Sequence, residues 1–144
     1  MIALDTNLLV YAHRYELELH APAEALLREV GEGAEPWAIP WPCLHEFLAV
    51  ATHARIFDPP TPRDVALAQV DAWLESPTLV LLAERSDHWR HHRLLLEAGD
   101  VRGGRVHDAR VAAICLAHGV TELWSADRDF GRFPQIRVRN PLVG

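Results

Sequence analysis

An α/β fold is what this 144-residue sequence predicts: a three-layer α/β/α sandwich around a mostly parallel central sheet of four or five strands. Two observations predict it. Short apolar runs ("IAL", "WAIP", "TLVLLA", "TELW") alternate with longer segments of helical periodicity. Strands alternating with helices in this way imply a mostly parallel sheet covered on both faces. The length fits one domain over 1–144, enough chain to bury roughly 70% of its unfolded surface.

The elements follow in order. A strand at 2–5 leads into a short helix at 7–13. A helix at 21–31 has Pro22 near its start and Gly31 as its stop. "WAIPW" (37–41) is a strand, and 43–55 a helix with Leu44, Phe47, Leu48 and Ala51 on its core face. The next helix, 62–75, opens on Thr61 as cap and a proline in the first turn. After a strand at 78–83, a helix at 86–99 is capped by Ser86 and closed by Gly99. A helix at 107–119 presents the small residues Ala109, Ala112 and Ala113, with Leu116, to the sheet, and ends in Gly119. Strands at 121–125 and 136–140 complete the set.

Composition narrows the function. Hydrophobic content of 49% and charge of 24% describe a globular chain. No apolar run approaches the ~20 residues of a membrane span, and Asp5 interrupts the first one too early for a leader peptide, so a cytoplasmic protein is expected. Cys43 and Cys115 form no metal or disulfide motif and read as buried free thiols. Residues 1–84 carry 4 arginines against 13 acids, net −9, whereas 85–144 carry 10 against 7, net +3. Lysine is absent, so every fixed positive charge is a guanidinium, which grips phosphate in a bidentate way. The overall −6 provides no general attraction to a polyanion.

In parallel sheets ligand sites form at the carboxyl ends of strands, and the acids collect there. Asp5 ends the first strand; capping the next helix is the bland alternative, but Thr6 and Asn7 are also capping residues and one helix end needs only one. Thr6 and Asn7 would instead orient the Asp5 carboxylate. Glu46 lies beside the core stripe of its helix; a first-turn position, favoured by the helix dipole, is the alternative. Asp108 opens the small-faced helix, which carries it up to the sheet edge. Asp127 and Asp129 follow the strand "TELWS"; Asp127 is nearer and is assigned to the site, Asp129 to capping the turn into Phe130. Carboxylates sharing one pocket repel each other unless a cation joins them. An all-oxygen set without thiolates or paired histidines selects a hard ion, Mg²⁺ or Mn²⁺. His107 has no histidine at metal-binding spacing and is assigned at most a supporting role.

"LDTNLLVY", the lone helix glutamate of "CLHEFL", "HDARVAA" and "WSADRDFGRFP" resemble, in order and spacing, the acidic motifs of PIN-domain nucleases. The ending "FGRFPQIRVRNPL" looks like that of VapC-type toxins of toxin–antitoxin pairs. The resemblance implies a PIN-like fold and a Mg²⁺-dependent endoribonuclease. Asp5, Glu46, Asp108 and Asp127 would form the site, with Asp5 and Asp108 the direct metal ligands and Ser125 close to the water. It also implies an RNA substrate such as tRNA or rRNA, a cognate antitoxin lying across the groove, and a homodimer. Residues 56–105 match only loosely. Arg102, Arg105, Arg128 and Arg132 are the candidates for guiding RNA past the acids. Rival readings are a DNA substrate, a non-catalytic PIN scaffold binding RNA or a partner, and a metal-independent imidazole nuclease or transition-metal site on "HWRHHR". The ordinary explanation of that last segment is a solvated helix face. A glycosidase would need fewer acids and an aromatic sugar platform.

Overall fold

The apolar triplet "IAL" forms the middle strand of the sheet, which is why its neighbours in sequence end up beside distant segments. The computed structural model describes residues 1–143. Strands β1 (Ile2–Leu4), β2 (Trp37–Pro40), β3 (Leu79–Leu82), β4 (Glu122–Trp124) and β5 (Val138–Arg139) make one sheet in the order β3-β2-β1-β4-β5. Every neighbouring pair is parallel, as the alternation of strands with helices predicts. Chain order runs outward from β1 to β2 and β3 on one side and to β4 and β5 on the other. The carboxyl end of β1 is therefore the switch point at which such sheets build their sites.

Six α-helices cover the sheet: α1 (Thr6–His13), α2 (His20–Glu32), α3 (Trp41–Ala51), α4 (Arg63–Leu74), α5 (His88–Ala98) and α6 (Arg105–Ala117). α1 packs on α2 and α3, α3 on α4, and α5 on α6. Ala109, Ala112 and Ala113 are fully buried, so α6 approaches the sheet closely, while Leu116 is only partly buried. Cys43 and Cys115 are buried free thiols.

Several expected boundaries shift, each for a local reason. β2 runs without a break into α3, which starts at Trp41 with Pro42 in its first turn. That helix stops at Ala51, not 55: the Thr61 N–H bonds back to the Ala51 carbonyl at 2.8 Å, turning the chain away. Gly31 lies inside α2, whose C-cap is Gly33; the Gly31 carbonyl accepts from the Ser76 hydroxyl. Thr61 does not cap α4. Its buried hydroxyl is shared by His13 and Arg14, and Pro62 stands at the N-cap. Ser86 does not cap α5 either, because that helix begins at His88 after Asp87. α6 begins two residues early, at Arg105, and Gly119 closes it with φ +67°, the left-handed conformation that glycine adopts without strain. Among the described residues no helix is long and apolar enough to cross a membrane.

Candidate active site

Asp5 leaves the carboxyl end of β1 only 6% exposed. It holds the N-cap position of α1, yet its side chain makes no capping hydrogen bond. Parallel pairing of Leu4 with Trp124 sets Asp5 beside Ser125, and the Asp5 N–H donates to the Trp124 carbonyl at 2.9 Å. The Ser125 hydroxyl donates to Asp5 Oδ2 at 2.8 Å, the Asn7 amide donates to the same oxygen at 3.4 Å, and the Cys43 thiol stands 3.6 Å from Oδ1. Asn7 also bonds Ser125 Oγ and accepts from the Ala126 N–H, tying the ends of β1 and β4 together. Thr6 and Asn7 thus serve the carboxylate and its surroundings rather than competing to cap α1. Burial is the main cause that lifts the Asp5 pKa from 3.8 to about 6; the Ser125 hydroxyl and Thr6 N–H oppose it and the charge of Glu46 adds to it.

Glu46 projects from the second turn of α3, since that helix starts at Trp41, so the first-turn dipole no longer accounts for it. The Thr6 hydroxyl lies 3.0 Å from Glu46 Oε2 and 3.4 Å from the Cys43 carbonyl. Asp108 sits in the first turn of α6, where burial and then the charges of Asp127, Glu46 and Asp129 raise its pKa, against the pull of Arg105. The two acids after β4 divide their work differently from the sequence expectation. Asp127 Oδ1 accepts from the Asp129 N–H at 2.9 Å and so caps the 3-10 turn Arg128–Arg132. Asp129, assigned the cap, instead pairs with Arg105 at 3.0 Å.

Asp5, Glu46, Asp108 and Asp127 line one cavity of about 290 Å³, together with Thr6, Asn7 and Tyr11. A second cavity of about 350 Å³ shares Glu46 and Asp108 and adds Pro42, His107 and Arg110. A larger one, about 510 Å³ between His13 and Pro62, contains no such cluster of acids, and charge rather than size singles out the first. The donor set is all carboxylate oxygen, the chemistry a hard divalent cation requires. As placed, no three His, Cys, Asp or Glu side chains among the described residues converge on one ion. Holding one would therefore mean rotating Glu46, Asp108 or Asp127, which are exposed or half-buried, toward the fixed Asp5.

Of the arginines, Arg105 borders the acids through its pair with Asp129, Arg102 pairs with Asp100 in the exposed loop, and Arg128 and Arg132 are exposed on the 3-10 turn. The histidine-rich segment is not simply a solvated face. His92 is buried, its Nε2 on the Val106 carbonyl, His88 packs against it, and His91 bonds Asp87. Two residues went unrecognised in the sequence, Cys43 behind Asp5 and Tyr11 at the cavity; Tyr11 lies one helical turn beyond Asn7, a spacing that could have found it.

A model of the PIN domain matches residues 2–136. The chain is 40% identical over 144 residues to VapC ribonuclease Mb2897 of Mycobacterium bovis and to Ribonuclease VapC43 of Mycobacterium tuberculosis, covering 100% of this chain and 97% of each relative. Among solved structures, FitAcB from Neisseria gonorrhoeae superposes with a TM-score of 0.72 at 16% identity, with 100% of both chains covered. Mycobacterium tuberculosis VapC20, described as a Sarcin-Ricin loop cleaving toxin, superposes with a TM-score of 0.69 at 17% identity over 95% of this chain and 99% of that one. With a five-stranded parallel sheet and four acids at one edge of it, the chain belongs to the PIN-domain family. Its full-length relatives at 40% identity are of the VapC group, and it falls with them.

Proposed function

We propose that the protein is a metal-dependent endoribonuclease, the toxin of a toxin–antitoxin pair. The observation that carries this reading is the state of Asp5. It is a nearly buried carboxylate whose hydrogen-bond partners are all neutral, facing a cavity with three further carboxylates. Such an arrangement is unfavourable for ionised acids on their own and favourable once a cation joins them. The names of the VapC relatives support RNA as the substrate class, with tRNA and rRNA as the expected targets. Solved neighbours described as VapBC, from Rickettsia felis and Salmonella typhimurium, support an antitoxin partner. A homodimer is the expected assembly.

Asp5 and Asp108 would hold Mg²⁺ or Mn²⁺, which when bound lowers the pKa of a water and offsets charge on the scissile phosphate. Ser125 and Asn7 hold the Asp5 carboxylate in one orientation through Oδ2. Glu46, steadied by Thr6, or Asp127, steadied by its own turn, orients the attacking water and accepts its proton. Attack in line with the leaving 3′ oxygen produces a 5′ phosphate. Arg105, with Arg102, Arg128 and Arg132, guides a backbone that the acids would otherwise repel. The test is sequencing of RNA 5′ ends in cells after induction. New 5′ ends with the wild type and none with Asp5→Ala are expected; identical ends in both would refute the nuclease.

A further inference from the structure

A chain of net charge −6 that handles RNA needs binding energy that does not depend on charge. At the start of α3 the indole of Trp41 stacks on the His45 ring, with centroids 6.0 Å apart and planes 30° from parallel. Trp41 is 37% exposed and His45 is exposed as well, so the stack stands in water. Trp37, four residues earlier, is 2% exposed and donates to Ser76, the ordinary fate of a tryptophan that serves the core. The first two turns of α3, which bear Trp41 and His45, also bear Pro42 and Glu46, which line the 350 Å³ cavity. That cavity shares Glu46 and Asp108 with the acid pocket, and its size falls within the roughly 300–1,000 Å³ of small-ligand sites. His107 and Arg110 place hydrogen-bond donors on its far wall, supplied by α6.

Building on the ribonuclease reading above, we infer that Trp41 and His45 form a stacking platform for one unpaired base of the RNA, and that the cavity between α3 and α6 receives the adjoining nucleotide. A base inside a duplex has no free face to stack on, so the substrate class is a single-stranded or looped segment. Stacking on an aromatic side chain accepts any base and is indifferent to the sign of the protein's net charge. The platform is a binding element and leaves the chemistry to the acids.

The test is equilibrium binding of a short fluorescein-labelled single-stranded RNA to the full chain, followed by anisotropy with Ca²⁺ in place of Mg²⁺. Trp41→Ala is expected to weaken binding about tenfold, Trp41→Phe to restore most of it, and His45→Ala to weaken it less than Trp41→Ala. A blunt-ended RNA duplex with no unpaired base is expected to bind the wild type and Trp41→Ala alike. Thermal melts confirm that each variant folds, and His45→Ala serves if Trp41→Ala does not. Equal affinity of wild type and both alanine variants, or no binding by the wild type, would overturn the platform. So would a loss of self-association with RNA affinity intact, which would assign the face to a second copy of the chain. Cleavage in Mg²⁺ is scored separately: cutting without Trp41 dependence removes the platform and keeps the nuclease, whereas Trp41-dependent binding without cutting removes the nuclease.

Discussion

The acid pocket at the end of β1 and the charged cluster at the start of α5 hold the same kinds of group in opposite electrostatic states. In the pocket, burial raises Asp5 to about pKa 6, and burial together with neighbouring acids raises Asp108. Around α5 the acids move the other way. The hydrogen bond from Arg110 lowers Glu84, and Asp87 is lowered by His91 and Arg85 in spite of its desolvation. Arg85, Arg90 and His91 all stand within ion-pair reach of Asp87. The second cluster neutralises itself. The first is left short of positive charge, its bordering Arg105 being paired with Asp129, and that deficit is what a divalent ion would fill. Carboxylates alone therefore do not mark a site; carboxylates whose protonation is pushed upward, at the switch point of a parallel sheet, do.

The largest expected contrast is catalytic. Asp5→Asn or Asp108→Asn should lower the rate of RNA cleavage on the order of 10²–10³-fold, while Asp87→Asn should cleave at the wild-type rate. Single-turnover assays on a labelled RNA would measure both, and equal losses in the two clusters would erase the distinction drawn between them.

Stability against pH should show opposite signs. Below about pH 4 the Asp5 carboxyl is protonated folded or unfolded. Between 3.8 and about 6 the folded chain holds a proton that the unfolded chain has lost, so stability falls as pH rises and the full penalty stands above 6. That gap corresponds to about 3 kcal/mol at most. Asp5→Asn should thus melt several degrees higher than wild type at pH 7.5 and close to it at pH 4. For Asp87, lowered in the fold, the sign reverses: Asp87→Asn should melt below wild type at pH 7.5, and the difference should vanish in acid. A uniform shift at all pH values in either variant would contradict these assignments.

Mg²⁺ should raise the wild-type melting temperature by an increment equivalent to about 2–3 kcal/mol near a hundredfold excess over Kd. The increment should shrink as pH drops from 7 to 5, because the ion competes with the proton on Asp5. It should be lost in Asp5→Asn and kept in Asp87→Asn.

The smallest effect concerns the arginines. Arg128→Ala should weaken RNA binding while leaving Mg²⁺ affinity intact, and should reduce the slope of log K against log salt by about 0.7. An unchanged salt slope would take Arg128 out of the interface.

Much of this arrangement was legible in the residues because it is local. Strands alternating with helices announce a parallel sheet, and an acid just after such a strand announces its ligand edge, which is how Asp5 and Asp127 could be read; Asp108 could be read from the small-faced helix that it opens. What escaped depends on the third dimension. The role of Cys43 follows from α3 passing behind Asp5, and no spacing along the chain encodes that contact. Asp127 and Asp129 could not be apportioned between cap and ion pair without knowing that Arg105, 24 positions from Asp129, would arrive beside it. His92 sits in the histidine- and arginine-rich run "HWRHHR", so only its packing against α6 reveals that it is buried. The cap at Thr61 failed for a related reason: a hydroxyl caps a helix only when no nearer donor claims it, and His13 and Arg14 claim Thr61.

The central claim is that the acid pocket, and not the α5 cluster, is built for a divalent cation. A crystal structure of the full chain soaked with Mn²⁺, with an anomalous difference map, tests it most directly. The account predicts a peak within ligating distance of both Asp5 and Asp108; a peak beside Asp87 and His91 instead, or none at a saturating concentration, would contradict it.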